Sequence, residues 1–232
     1  MSMEPQTKTD YTCRYCEKSF QRESSLAVHV CEPKRRYQER EEVGVQIGLQ
    51  SYLRFYEITQ GSAKLKTFDD FAQSPYYRAF VKYGRHCVAI RAINVGRFTE
   101  WLLKNNKKID HWCRDSLYTE YIATYIKQEA ITDALGRALE ESISWSEETG
   151  NPDRDFLRNG NSNRICYAIS NGRVSPWVLY NCDSGQEFLS RLNPEQIAMT
   201  WNMIDSDFWQ KKFLDYPADT EYVREMLRKA GW

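Results

Sequence analysis

The stretch Tyr11-Thr12-Cys13-Arg14-Tyr15-Cys16-Glu17-Lys18-Ser19-Phe20-Gln21-Arg22-Glu23-Ser24-Ser25-Leu26-Ala27-Val28-His29-Val30-Cys31 decides how the chain begins and what holds that beginning together. Cys13 and Cys16 are separated by two residues, the spacing of a turn that aims two sulfurs at one point. His29 follows Cys16 after twelve residues, enough for a hairpin return and a short helix to carry its ring to the same place. Cys31 is the candidate fourth donor. On a regular helix positions i and i+2 point apart, so His29 and Cys31 reach one ion only if the helix unwinds near Val30. Pro33 is read as part of that stop. The alternative is a helical hairpin carrying incidental thiols.

The same segment resembles a C2H2-type zinc finger. Tyr11 stands two before the first Cys, Phe20 four after the second, and Leu26 three before His29. In the family these residues form the small core that the metal staples. The resemblance implies a ββα module over residues 11–32 with a structural, closed Zn2+ site made by Cys13, Cys16, His29 and Cys31. It departs from the family in its fourth ligand, a Cys with one residue between it and the His, which makes it a C2HC variant. About twenty-five residues cannot bury enough apolar surface to fold without such a staple. By the same resemblance the base-facing positions are Arg22, Ser25 and Val28. Arg22 suits guanine, but one finger covers only about three base pairs. A protein-docking knob is an equal reading of the module.

Outward from the finger, composition bounds the rest. Over 232 residues the chain is 41% hydrophobic and 14% aromatic, which excludes disorder along most of its length. The longest stretch without a charged residue, Val43 to Leu53, has eleven residues against the roughly twenty of a membrane span. The first ten residues lack the apolar run of a secretory signal, and the Cys count of seven is odd, so a reducing, cytoplasmic setting is expected. Charge is split: residues 1–108 hold 19 Lys/Arg against 12 Asp/Glu, and residues 109–232 hold 13 against 20. That gives +7 and −7, and the steepest part, Tyr77 to Lys108, sets eight basic residues against Glu100 alone.

The organisation expected is mainly α with one β-hairpin, a small finger joined to a larger helical domain. Residues 1–10 read as a disordered tail, 33–42 as a charged joint, and 43–232 as the helical domain. Helices are expected over Glu41–Thr59, from a Thr67 cap, after Ser74-Pro75 to about Cys87, from an Asn94 cap through Leu103, and from Asp115 to near Gly150. Alternation of Ile165, Tyr167 and Ile169, then Val174, Pro176, Val178 and Tyr180, about Asn171-Gly172 predicts a hairpin near 164–181. Helices should follow from about Glu187, Pro194, Asp207 and Asp219, ending at Gly231.

Arg78, Lys82 and Arg85 fall at i, i+4 and i+7, one helical face, where a row of cations neutralises successive phosphates. Arg97, Lys104, Lys107 and Lys108 continue the basic flank, and Lys34, Arg35 and Arg36 extend it from the finger. Tyr76, Tyr77, Phe80, Tyr83, Phe98 and Trp101 are interleaved and are candidates for base stacking, unless they are core. His86, Cys87, His111 and Cys113 supply donors for a second metal site or a Cys/His nucleophile, at no known spacing. No phosphate-cradling Gly motif is present, and an enzyme using His86, His111 or the Cys pairs is the third and least favoured class. The reading that results is a zinc-binding, nucleic-acid-associated accessory protein that contacts DNA or RNA through its basic flank. The alternative is an adaptor docking on a protein partner in replication or transcription. The residues beyond the finger are broadly similar to uncharacterised accessory proteins of tailed phages, a likeness that implies a host-cytoplasm setting and adds no site residues.

Overall fold

The backbone N–H of Cys13 donates to the Lys18 carbonyl at 2.9 Å, and the Cys13 carbonyl accepts from Glu17 at 2.8 Å. The turn between them closes because Glu17 takes a left-handed φ of 59°. This knuckle pairs β1 (Tyr11–Thr12) antiparallel with β2 (Ser19–Phe20), placing Tyr11 opposite Phe20. Helix α1 (Glu23–Ala27) follows, completing the expected ββα order. The computed structural model describes residues 11–61 and 66–232, so the tail expected over residues 1–10 lies outside the described residues. The chain divides into two units between Cys113 and Arg114.

In the first unit α2 (Glu32–Gln38), α3 (Val43–Gln60), α4 (Phe68–Gln73), α5 (Tyr77–Ala89) and α6 (Val95–Lys104) follow the ββα segment. The Thr67 cap is present as a capping box with Asp70, and the Asn94 side chain caps α6 through Arg97 N–H. The run Val43, Val45, Ile47, Leu49 also alternates, but it is helical. Gly44 and Gly48, four residues apart, share the face of α3 that meets Gly84 of α5. A methyl at Gly84 would lie 2.0 Å from the Gly44 carbonyl oxygen and 2.7 Å from Gly48 N, so the two backbones touch with nothing between them. Around that contact Val45, Tyr52, Phe80, Val81 and Tyr83 are buried. A chain of hydroxyls, Tyr83 to Thr99 at 3.1 Å and Thr99 to Ser51 at 3.2 Å, crosses the α3–α5–α6 core with its polar atoms satisfied.

The second unit holds α7 (Asp115–Tyr125), α8 (Ile131–Thr149), α9 (Phe156–Asn159), α10 (Ser162–Ser170) and α11 (Pro176–Leu179). It ends with α12 (Asp183–Ser190), α13 (Pro194–Ile204), α14 (Ser206–Asp215) and α15 (Pro217–Ala230). The hairpin expected near 164–181 is not formed; both of its arms are helical. Ile165 and Ile169 share a face at i, i+4 as readily as at i, i+2 of a strand, and Tyr167 between them is exposed. Asn171-Gly172 is a helix end. Gly172 takes φ 75°, its N–H donates to Ile169 O at 2.9 Å, and Arg173 N–H donates to Ala168 O at 2.8 Å, the Schellman pattern. Ser175 then caps α11 and Pro176 fills its first turn.

Side chains clasp that 171–175 bend. Tyr118 Oη donates to Asn171 O at 3.3 Å, Arg137 Nε to Gly172 O at 3.2 Å, and Ser175 Oγ to Glu129 Oε1 at 2.9 Å. Two buried carboxylates neutralise the arginines here: Glu129 pairs with Arg137, and Glu141 with Arg173 at 3.0 Å. Buried charges persist only when paired in this way. Among the described residues no helix is long and apolar enough to cross a membrane.

Candidate metal centre and basic cleft

Helix α1 is only five residues long, and its end solves the spacing problem posed by His29 and Cys31. His29 N–H donates to Leu26 O at 3.1 Å as the last turn tightens, and residues 29–31 belong to no helix. Cys31 stands in extended backbone, φ −122° and ψ 162°, as the residue that opens α2. The unwinding expected at Val30 is therefore present and starts earlier. Pro33 does not stop a helix; it sits in the first turn of α2, where its missing N–H is an orphan position anyway.

The donor atoms of Cys13, Cys16, His29 and Cys31 all lie within 4.8 Å of one another. Cys13 Sγ is 3.9 Å from Cys31 Sγ, and Cys16 Sγ is 3.3 Å from His29 Nε2. Four ligands around a tetrahedral Zn2+ at its usual bond lengths stand about 3.8 Å apart for two sulfurs and about 3.5 Å for sulfur and nitrogen. The group can hold a metal ion. The backbone also prepares it. The Tyr15 N–H, bonded to the Cys13 sulfur, leads in lowering that thiol's pKa, against burial. The Lys18 N–H pulls Cys16 down as well, but burial and the neighbouring thiols outweigh it and leave that pKa raised. Amide N–H groups aimed at sulfur favour the thiolate, the form that ligates metal. The Phe20 ring packs 4.8 Å from the His29 ring, and Lys34 Nζ donates to the His29 backbone carbonyl at 2.9 Å, holding the chain where the ring departs from it.

The basic residues separate into groups. Arg35, Arg36, Arg78, Lys82 and Arg85 line one cleft between α2 and α5. Arg22 is in extended backbone before α1. Arg97 and Lys104 lie on α6, and Lys107 and Lys108 follow it, away from the cleft; Lys107 Nζ rests 5.5 Å over the Trp101 ring. The cleft cations are not bare. Glu32 Oε1 is 3.3 Å from both Arg36 and Arg78, and Glu32 also pairs with Arg35. Arg85 meets Glu42 at 2.6 Å and Glu39 at 3.2 Å. Arg36 is furthest consumed: its guanidinium donates to Ala72 O at 2.6 Å and stacks 4.5 Å over Tyr77. Glu32, at the end of the 11–32 segment, and Glu39, in the charged joint, were not among the residues singled out from the sequence. Their separation of seven residues matches that of Arg78 and Arg85, which was the available signal.

Stacking on bases is overturned for most of the interleaved aromatics. Tyr77, Phe80, Tyr83 and Phe98 are buried, while Tyr76 is exposed and Trp101 half-buried. The aromatic face of α5 builds the core, and its cations Arg78, Lys82 and Arg85 are presented outward. The second Cys/His group fares no better as a nucleophile. Burial pushes the Cys87 thiol up to about 12 against a hydrogen bond from Tyr83, and burial raises Cys113 too, so thiolate is scarce at neutral pH. Among the described residues, the N-terminal four form the one group of three or more His, Cys, Asp or Glu within reach of a single ion. Compared with known proteins, the chain matches no family model, no curated protein and no solved structure. The likeness to tailed-phage accessory proteins finds no support there.

Proposed function

We propose that this is a zinc-binding, non-catalytic accessory protein that associates with nucleic acid. The observation that carries the reading is the convergence of three thiols and one imidazole on one point, with backbone N–H groups turned toward the sulfurs. Zn2+ suits that donor set, since thiolate and imidazole ligands in a closed tetrahedron are those of structural zinc. Bound there, the ion would tie β1, β2, α1 and the start of α2 into one rigid tip. The exposed cations of α5 and of the segment around α6 supply the sequence-independent attraction to phosphates.

The test is a salt titration of the zinc-loaded full chain against single-stranded DNA, duplex DNA and RNA, read by fluorescence anisotropy. Affinity should fall steeply with salt, and Lys82→Gln should lower the log–log slope by about one. Absence of binding even at low salt overturns the nucleic-acid reading. A second reading then applies, and one observation favours it. Val28 and Val30 are 79% and 69% exposed beside the His29 ligand, an apolar tip suited to a protein partner.

A further inference from the structure

The cleft between α2 and α5 has a volume of about 440 Å³. Five cations line it, against two lining carboxylates, Glu32 and Glu39, and Glu42 at its edge, which pairs with Arg85, so two more cations than carboxylates meet there. Glu32 alone is shared by three arginines. Lys82 has no carboxylate partner among the described residues. Arg78 is 77% exposed and touches its share of Glu32 at 3.3 Å through one nitrogen. Exposed pairs of this kind are weak and screened, so they yield readily to an anion of higher charge.

A second, separate observation points the same way. Tyr77 is only 4% exposed and lines the cleft, yet its buried hydroxyl has no hydrogen-bond partner. Buried polar groups are nearly always paired, and an orphan asks for an explanation. Burial foremost, then Glu39, holds this hydroxyl above the usual tyrosine range, while Arg36 and Arg85 pull it down, so it senses the charges of the cleft.

We propose that the cleft is a binding site for a phosphate monoester, held by the guanidinium groups of Arg78 and Arg85, the ammonium of Lys82 and the hydroxyl of Tyr77. A phosphate monoester carries close to two negative charges at neutral pH and three strong acceptor oxygens. That offsets the cation excess and supplies the partner that Tyr77 lacks. Guanidinium groups match phosphate geometry with two parallel hydrogen bonds. A carboxylate brings a single charge, as Glu32 and Glu39 already do. The volume accommodates the phosphoryl group and part of what it is attached to. This deepens the nucleic-acid reading, because a monoester occurs at the end of a strand or on a small molecule and not along the backbone.

The experiment uses the zinc-loaded full chain, wild type and Tyr77→Phe, in calorimetry at fixed ionic strength. The probes are inorganic phosphate, a 5′-phosphorylated oligonucleotide, and the same oligonucleotide with a 5′-hydroxyl. Tyr77→Phe should leave the melting temperature unchanged or raised, since it removes only an unsatisfied hydroxyl. It should weaken phosphate about tenfold, the worth of one hydrogen bond to a charged group. Saturable binding of inorganic phosphate supports the site. Preference for the 5′-phosphorylated strand adds a nucleic-acid end as its source, and no preference leaves a small phosphorylated molecule. Equal binding of both strands without binding of inorganic phosphate overturns the site and leaves backbone association intact. Phosphate binding that Tyr77→Phe does not weaken, or a loss of stability in that variant without ligand, also overturns it.

Discussion

Replacing Gly84 by alanine isolates the closest contact in the first unit. The new methyl would lie 2.0 Å from the Gly44 carbonyl oxygen and 2.7 Å from Gly48 N, both backbone atoms that cannot swing aside. To reach an ordinary separation, α3 and α5 must part by more than ~1 Å at their crossing, which forfeits a quarter to a half of the dispersion energy of the contacts opened. Overpacking of this kind costs about 3 kcal/mol at the upper end of its usual range. Alanine returns about 1 kcal/mol of helix propensity, so the net loss is about 2 kcal/mol. Gly136, in the interior of α8, has no atom within 4 Å of its added methyl. Gly136→Ala should therefore stabilise by about 0.5–1 kcal/mol, from propensity alone. Urea denaturation followed by circular dichroism reads both. Equal or like-signed effects of the two substitutions would refute the glycine crossing as the reason for these residues.

Two further outcomes concern buried and exposed carboxylates. Arg137→Met leaves Glu129 buried without its ion partner and should cost about 3–5 kcal/mol at neutral pH. Burial leads in raising the Glu129 pKa, with Arg137 pulling against it, so the folded state binds the proton more tightly than the unfolded state does. The deficit of Arg137→Met should accordingly shrink as pH falls from 7 toward about 5, and denaturation midpoints that keep a constant gap would contradict this. Glu42 has the opposite sign: its hydrogen bond from Arg85 lowers its pKa. Its contribution is present above the unfolded value of about 4.3 and is lost as pH falls through the lower folded value. With both groups partly exposed it amounts to less than about 1 kcal/mol, and Glu42→Gln should flatten the acid limb of the stability curve by no more than that.

The N-terminal donor group was legible because metal ligation constrains residue type and spacing together, and Cys13, Cys16, His29 and Cys31 converge as their spacing implied. Caps were legible for a related reason: Thr67 and Asn94 satisfy orphan N–H groups by short-range chemistry that sequence displays. The stretch 164–181 misled because both of its signals have two physical meanings. Isoleucines four apart fit either period, and Asn-Gly serves a hairpin turn or a helix end equally, both requiring left-handed backbone. The Ser175-Pro176 pair was the available clue, since a serine cap followed by proline opens a helix there, whereas Ser74 closes α4 and α5 begins only at Tyr77. The role of Gly44, Gly48 and Gly84 was hidden because a glycine's value here is the space it leaves for a distant backbone. Tyr77 was grouped with candidate stacking residues, and only burial with an unpartnered hydroxyl sets it apart.

Metal content under native conditions tests the account at its root. Native mass spectrometry of the 232-residue chain purified without chelator should show one zinc ion per chain, and Cys31→Ser should bind it far more weakly than wild type. Amide exchange within residues 11–31 should accelerate when the ion is stripped, because that tip has little apolar core of its own. A chain that carries no metal, or a Cys31→Ser variant that holds zinc as tightly as wild type, would contradict the four-ligand centre.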